Sequence, residues 1–285
     1  RLVMAGGQFI TIGKNESSVT YNFPIEAVAG TTSTVDCDLW NTNKCKVSGT
    51  GTLIWNVHYL REYIEGNWDN YTGHLIINGT GKNGQSQFAI RNGVGVKNAT
   101  IQLKGNATIN GAKNASTYYL GGLSGEATSA LWGFNVKQKG EGTWVVGTAN
   151  TNETFHGVIN NNDQAGTHPG TTSIEKQGSG DWRLTGKNDY SGTTTVTSGR
   201  LIVNGQHTGK GSITVRKGAI LAGKGSLTGA TTINDGGILQ VGDTLATDKG
   251  LTFNGGLKLN NGAILRLNDA MMETDFKAGD QIKVF

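Results

Sequence analysis

From Gly199 to Leu267 short apolar runs follow glycines at a fixed interval: Gly199-Arg-Leu-Ile-Val, Gly218-Ala-Ile-Leu-Ala, Gly237-Ile-Leu-Gln-Val and Gly256-Leu-Lys-Leu. Positions 199, 218, 237 and 256 are evenly spaced, nineteen apart each time. A period of this size, with β-rich runs separated by Gly, Asn and Asp, points to a solenoid, in which one unit cannot bury its apolar residues alone and shares an interior with its neighbours. Second runs lie between the first, at Ser212–Val215, Thr231–Ile233 and Leu251–Phe253. Each coil then has at least two strands and two turns. Stacked about 4.8 Å apart, such coils hydrogen-bond along their whole length. Alternation assigns Leu201, Val203, Ile213, Val215, Ile220, Ile233, Leu239, Val241, Leu257, Leu259 and Leu265 or Leu267 to the interior.

Composition agrees with a chain that turns often and forms little helix. Glycine accounts for 45 of the 285 residues, proline for 2, and charged residues for 16%. Glycine has no third-position period, which excludes collagen, and apolar residues at 35% in regular short runs exclude disorder. The formal charge is +4, but the 25 Lys and Arg are scattered singly among 21 acids, so no nucleic-acid or anionic-membrane surface is expected. No apolar run approaches the ~18 residues of a membrane span, so no membrane insertion of this segment is expected. Residues 1–10 lack the zones of a signal peptide, and the chain reads as a piece of a longer protein. Helical spacing occurs at Val57, Leu60, Tyr63 and Ile64, and Asp269 to Phe276 has the pattern for a turn or two.

A second repeat overlays the first: Gly-x-Gly-x-aromatic, then aromatic-x-Gly. It occurs as Gly140-Glu-Gly-Thr-Trp144 with Phe155-His-Gly157, as Gly178-Ser-Gly-Asp-Trp182 with Tyr190-Ser-Gly192, and loosely as Gly49-Thr-Gly-Thr-Leu53 with Tyr71-Thr-Gly73. Strands are expected between the copies at Leu75–Asn78, Phe88–Arg91, Thr100–Leu103 and Thr108–Asn110. The division that follows is a cap or connector over 1–48, continuous with a solenoid over 49–285.

The run Lys176-Gln-Gly-Ser-Gly-Asp-Trp-Arg-Leu-Thr-Gly-Lys-Asn-Asp-Tyr-Ser-Gly-Thr-Thr-Thr-Val-Thr-Ser-Gly-Arg-Leu-Ile-Val-Asn-Gly closely resembles the autotransporter-associated β-strand repeat. That repeat opens Gly-x-Gly-x-Leu-x-Leu-x-Gly, continues Asn-x-Tyr-x-Gly-x-Thr-x-Val and ends on a Gly-x-Leu strand; Trp182 replaces an aliphatic residue at an inward position. The ending Lys277-Ala-Gly-Asp-Gln-Ile-Lys-Val-Phe285 also resembles the C-terminal part of bacterial passenger domains. The resemblance implies an all-β fold, a single-stranded right-handed parallel β-helix, in a secreted or surface-exposed bacterial protein. The family is a scaffold and does not pick a ligand. The expected function is a noncatalytic structural or adhesive segment, with a carbohydrate-binding or polysaccharide-degrading module as the alternative. A glycan or a host or cell-surface macromolecule is the expected partner, and the chain is expected to be monomeric.

Residues that could support chemistry are sparse. The Gly-Asp-Ser-Gly setting of the related proteases is absent, its nearest counterpart being Gly242-Asp-Thr-Leu245, and His58, His74, His156, His168 and His207 stand alone. Gly218 to Gly225 misses a phosphate loop by the final hydroxyl and by its repeat context. Of the acids, Asp36 and Asp38 flank a cysteine loop, while Asp181 and Asp189 sit in turn-like runs. No catalytic residue, metal ligand or cofactor is therefore expected. Cys37 and Cys45 are spaced for a local disulfide across a hairpin-like loop in an exported protein, two free thiols being the other reading. Of Trp40, Trp55, Trp68, Trp132, Trp144 and Trp182, those left exposed could stack on sugar rings. The longest breaks in the repeat are Asn56 to Tyr71, Asn114 to Ala130 and Asn160 to Thr172. The first holds Arg61, Tyr63, Trp68 and Tyr71, which form the candidate ligand-binding set; the competing reading folds Trp68 and Tyr71 back onto the solenoid.

Overall fold

The computed structural model describes residues 1–11, 19–37, 41–58, 61–81, 86–91, 95–112, 116–133, 141–161, 170–243 and 249–267. They form a parallel β-solenoid with no helix. One turn runs through three strands on three faces, for example Val47–Gly49, Thr52–Val57 and Arg61–Ile64. The next turn, Asn70–Tyr71, His74–Gly79 and Ser86–Arg91, lies directly on it, with Ser48 beside Asn70, Leu53 beside Leu75 and Tyr63 beside Ala89. Turns of this kind follow one another from Leu2–Met4, Gln8–Thr11 and Val19–Tyr21 to Thr231–Ile233, Ile238–Gln240 and Thr252–Phe253. Leu257–Leu259 and Ile264–Arg266 begin a further one. In two turns a single strand, Val96–Gly105 or Ser116–Gly125, passes through both the first and second faces.

Register turns the alternation of each strand into columns. Val35, Trp55, Ile77 and Leu103 stack on the second face, and Phe88, Ile109, Leu131 and Ile159 on the third, all fully buried. Each such side chain contributes about 1.5–3 kcal/mol of burial, and no single turn could retain it alone. Corners must bring chain close to chain. Gly178 has φ +71°, and a Cβ there would lie 1.9 Å from the Gly147 carbonyl oxygen.

The glycine period is only partly a coil step. On the second face Asp181 pairs with Arg200, Arg200 with Ile220, Ile220 with Ile238 and Ile238 with Ile264, so the coil advances by nineteen, twenty, eighteen and then twenty-six positions. Gly256 belongs to a different corner from Gly199, Gly218 and Gly237, because Leu257 pairs with Thr231 on the first face. The longer last step accommodates a segment containing Asp243. The step from Arg200 to Ile220 also shifts the inward position from Ile220, which is half-buried, to Leu221, which is fully buried. Leu201, Val203, Ile213, Val215, Ile233 and Leu239 are interior as expected; Val241, Leu257, Leu265 and Leu267 are half-buried, and Leu259, in the last described turn, is exposed.

The two aromatic copies are one face out of phase. Trp144 lies on the first face beside Ile174, whereas Trp182 lies on the second beside Leu201, and both are buried. The expected helix around Val57 to Ile64 is replaced by strand: Val57 closes Thr52–Val57, and Tyr63 and Ile64 belong to Arg61–Ile64. There Glu62 and Ile64 point inward and Tyr63 outward, a period of two. Leu60 and Asp269 to Phe276 lie outside the described residues.

Candidate functional site

The ligand-binding set falls on the wall of the solenoid. Trp68 is fully buried, its ring 5.4 Å from Trp55, 6.2 Å from Phe88 and 6.0 Å from Tyr71 between centroids. Tyr71, also fully buried, donates its hydroxyl toward the carbonyls of Gly51 (3.0 Å) and His74 (2.8 Å), and burial pushes its pKa well up. A ring enclosed on all sides has no face for a sugar. Asn56 to Tyr71 is thus the end of one strand, a third-face strand and a corner, and its aromatics help to fill the core. Arg61 pairs with Gln87, and its side chain lies outside the described residues. Tyr63 does face outward, half-buried, with the Arg91 guanidinium 3.5 Å above its ring. Arg91 also donates to Glu65 at 2.7 Å, and Lys44 approaches Glu65 at 3.9 Å.

Cys45 is a free, fully buried thiol, with burial pushing its pKa up. The hairpin expected between the two cysteines does not form. Cys37 ends a second-face strand, Asn41–Asn43 lies on the third face, and Cys45 follows it, its backbone N–H donating to Asn43 Oδ1 at 2.7 Å. The side chain of Cys37 lies outside the described residues.

Stacking joins residues that are distant in sequence. His58 lies between Asp36, one turn before it, and Thr80, one turn after it, with its Nε2 against the Asp36 carboxylate and its Nδ1 against the Thr80 hydroxyl. Gln8 and Asn56 donate to the same carboxylate at 3.2 and 3.3 Å. The order acid, imidazole, hydroxyl resembles an acyl-transfer relay, which also needs donors for an oxyanion. Here the N–H of Thr80 is given to Val57 and that of Gly81 to Ser86 Oγ. His74 with Thr100 and His156 with Thr185 repeat the imidazole–hydroxyl pair at 2.8 Å, with no carboxylate bonded behind it among the described residues. A cross-turn ladder accounts for all three. His168 and Asp38 lie outside the described residues, as does Trp40.

Besides the inward Glu62, buried charge occurs in the C-terminal half of the chain. Lys176 occupies an inward position between Val146 and Val196, and its ammonium donates to the carbonyls of Gln177, Gly178 (3.1 Å) and Ser198 (3.3 Å). Desolvation lowers its pKa to about 8, opposed by Asp181. Arg183 holds Asp243 through two bonds of 2.9 Å across 60 residues, and Asn204 adds a third at 2.8 Å. Bonding between Arg183 and Asp243 raises the guanidinium pKa and holds the Asp243 carboxyl below its ordinary range. Ile202 and Ala222, outward positions near this clamp, are fully buried. Asp181 is held by Arg200, and Asp189 is exposed. Gly218 to Gly225 contains the strand Ile220–Ala222 with no helix after it. Among the described residues no three His, Cys, Asp or Glu side chains gather as a metal site.

The third face carries the feature that sequence reasoning missed. Ser86–Arg91 and Ala107–Ala112 are buried on both sides, unlike most strands here. Outward-facing Gln87 and Asn110 are fully buried, and Asn110 Nδ2 donates to Gln87 Oε1 at 2.9 Å. Trp132, in register with Asn110, is the outward indole among the described tryptophans and is 8% exposed. Each of these partners stands a full turn from the next, Gln87 from Asn110 and Asn110 from Trp132, so only knowledge of each turn's length could have paired them.

Comparison with known proteins identifies the scaffold. Residues 174–203 and 219–241 match the model of the passenger-associated-transport repeat. The chain carries passenger-associated-transport repeats. Both matched stretches lie in the regular turns, where successive second-face partners are eighteen to twenty positions apart. The adhesin BmaC autotransporter of Brucella suis biovar 1 (strain 1330) is 40% identical over 74 residues, 26% of this chain and 2% of that protein. The chain therefore spans a small fraction of that curated relative. It is a passenger-like β-helix segment.

Proposed function

We propose that this passenger-like solenoid is a noncatalytic adhesive segment of a larger exported bacterial protein, displayed at the cell surface and presenting a side face to a glycan or another macromolecule of a host or cell surface. The similarity to an adhesin is the observation that carries this reading. The geometry supports it, because a core filled with packed columns leaves recognition to outward side chains. The imidazole ladders serve the stack, the buried Lys176 ties neighbouring turns together, and Asp243 reaches back across several turns to Arg183. The segment acts as a monomer. Beads coated with the 285-residue chain are expected to bind epithelial cells and to be displaced by soluble chain. Equal binding of beads coated with an unrelated β-solenoid would overturn the reading.

A further inference from the structure

Net charge is not spread evenly along the stack. Residues 1–175 hold 12 Lys and Arg against 12 Asp and Glu, whereas 176–267 hold 11 against 5. In the second stretch Lys176 is buried, Arg183 is held by Asp243 and Arg200 by Asp181. The other eight cations are exposed, and the acids left exposed among the described residues there are Asp189 and Asp235. An excess of one sign repels itself in the folded state, and a partner of opposite charge relieves it.

Stacking gathers half of these cations, Lys210, Arg216, Lys217 and Lys258, on the first face. Thr195, Thr214, Thr232 and Lys258 stand in one outward column, each a strand spacing of ~4.8 Å from the next. Lys258 enters it through a longer turn, twenty-six positions after Thr232, where the two preceding steps are nineteen and eighteen. Arg216 lies two positions beyond Thr214 and so faces the same side. Asn234 and Asn260 continue its column, joined by a bond of 3.1 Å. The stem of Lys217 lies over Gly236 one turn on, where a Cβ would come within 2.7 Å of its Cγ. Lys210 stands at the corner that leads into Ile213–Val215. None of the four forms an ion pair among the described residues. Two acids border the face: Glu175, engaged by Gln177 and Thr197, and Asp235, whose carboxylate lies over Gly262.

We propose that this face binds an acidic polysaccharide, one carrying sulfate or carboxylate groups, resting on the adhesive reading above and naming its ligand class. Exposed cations beside a strip of Thr hydroxyls and Asn amides suit a long chain that carries both fixed negative charge and sugar hydroxyls. The charges meet the ammonium and guanidinium groups, and the hydroxyls exchange hydrogen bonds with the strip between them. Other polyanions fit less well. Single-stranded nucleic acid calls for aromatic platforms on which bases stack, and an anionic bilayer for apolar side chains that enter it. The outward positions of the strands from Thr194–Val196 to Leu257–Leu259 hold Thr195, Thr214, Thr232 and Lys258, which offer neither.

Heparin, hyaluronate and neutral dextran are passed over the immobilised 285-residue chain, beside a single-stranded oligonucleotide and phosphatidylserine vesicles. Heparin or hyaluronate is expected to bind and dextran not, with affinity falling several-fold between about 50 and 200 mM salt. Arg216→Gln with Lys258→Gln takes two charges from the face and is expected to weaken binding about tenfold. Lys187→Gln with Arg266→Gln takes two from the third and second faces, and is expected to bind within about twofold of the parent. All four residues are exposed, so thermal midpoints should match the parent's; a first-face pair that loses stability is replaced by Lys210→Gln with Lys217→Gln, held to the same expectation. The proposal falls if neither acidic polysaccharide binds, if dextran, the oligonucleotide or the vesicles bind as tightly, or if the two pairs lose affinity equally, which would make net charge alone the cause. Bead adhesion is scored in parallel. Adhesion that persists undiminished in the Arg216 and Lys258 variant and in excess heparin and hyaluronate rejects this face and leaves the adhesive reading standing, while beads that adhere to no cell reject that reading itself.

Discussion

His207 makes acid the most informative perturbation of this molecule. Its ring is 3% exposed, between Asn188 and Leu227 in the third-face column, and 4.3 Å from the Tyr190 ring. Neither ring nitrogen has a hydrogen-bond partner among the described residues, and the adjoining void of about 10 Å³ has room for roughly one water. That void is lined by Leu184, Leu201, Val203, Ile213, Leu221 and Leu227 with Asn188, Thr194 and Tyr190, and no carboxylate among them offsets an imidazolium. Burial accordingly lowers the pKa from 6.5 to about 4.

The folded state then holds His207 neutral while the unfolded chain takes up its proton. Stability from this group is complete above pH 6.5, falls as pH drops toward 4, and levels off below, where both states are charged. The difference amounts to about 2 kcal/mol at pH 5 and about 3 kcal/mol at pH 4. Denaturant unfolding at pH 7.5 and pH 5, for the parent and for His207→Leu, isolates the contribution by difference, since every other titrating group is common to both. The Leu side chain suits a column that already contains Leu227. The variant is expected to be at least as stable as the parent at pH 7.5 and to lose about 2 kcal/mol less on acidification. An identical loss in both proteins, or an NMR titration placing the His207 ring near pH 6.5, would refute the reasoning.

Lys176 carries the same sign in a higher window: with its folded pKa lowered to about 8, stability should rise between pH 8 and 10.5, and the parent should gain on the order of 2 kcal/mol over Lys176→Met between pH 7.5 and 10 in urea unfolding. Asp243→Ala removes the carboxylate shared by Arg183 and Asn204, and is expected to cost about 1–3 kcal/mol at neutral pH in urea unfolding. Because Arg183 holds that carboxyl below its ordinary range, the contribution should begin to decline only as pH falls below about 4 and be lost once the pH passes below the lowered folded value. Cys45 should react with a thiol reagent only after denaturation, and mass mapping without reductant should find it unbridged.

The fold was legible because a solenoid writes its interior into every turn. Leu201, Val203, Ile213 and Val215 alternate locally, and stacking only repeats what each strand already shows. The coil step was less legible, since a corner can gain or lose a residue while the strands stay in contact. Arg200 pairs with Ile220, one position further on than the glycine period from Gly199 to Gly218, and that extra residue exchanged Ile220 for Leu221 in the core. Gly256 kept the spacing by coincidence after a longer turn had moved it to another corner.

Side chains facing outward follow a different logic. Trp68 and Tyr71 lie in a polar stretch that suggests exposure, yet the corner carries them inward against Trp55 and Phe88. Polarity of neighbours in sequence reports on alternate positions of one strand, and the true neighbours of an outward residue are one turn away. Asp36, His58 and Thr80 show this in the second face, and Gln87, Asn110 and Trp132 in the third. The pairings depend on the sum of strand and corner lengths between them, so an insertion of one residue at a corner reassigns every outward contact beyond it. A protein built this way can change its surface by altering corners while its columns stay filled, and a binding face on such a scaffold is to be sought where turn lengths depart from the regular step. The turns holding Asn110 and Trp132 depart from that step, since their second-face partners run from Thr100 to Gly122 and from Gly125 to Phe155, the latter a far longer step than any in the turns matched by the repeat model, and there the outward positions of the third face are buried as well.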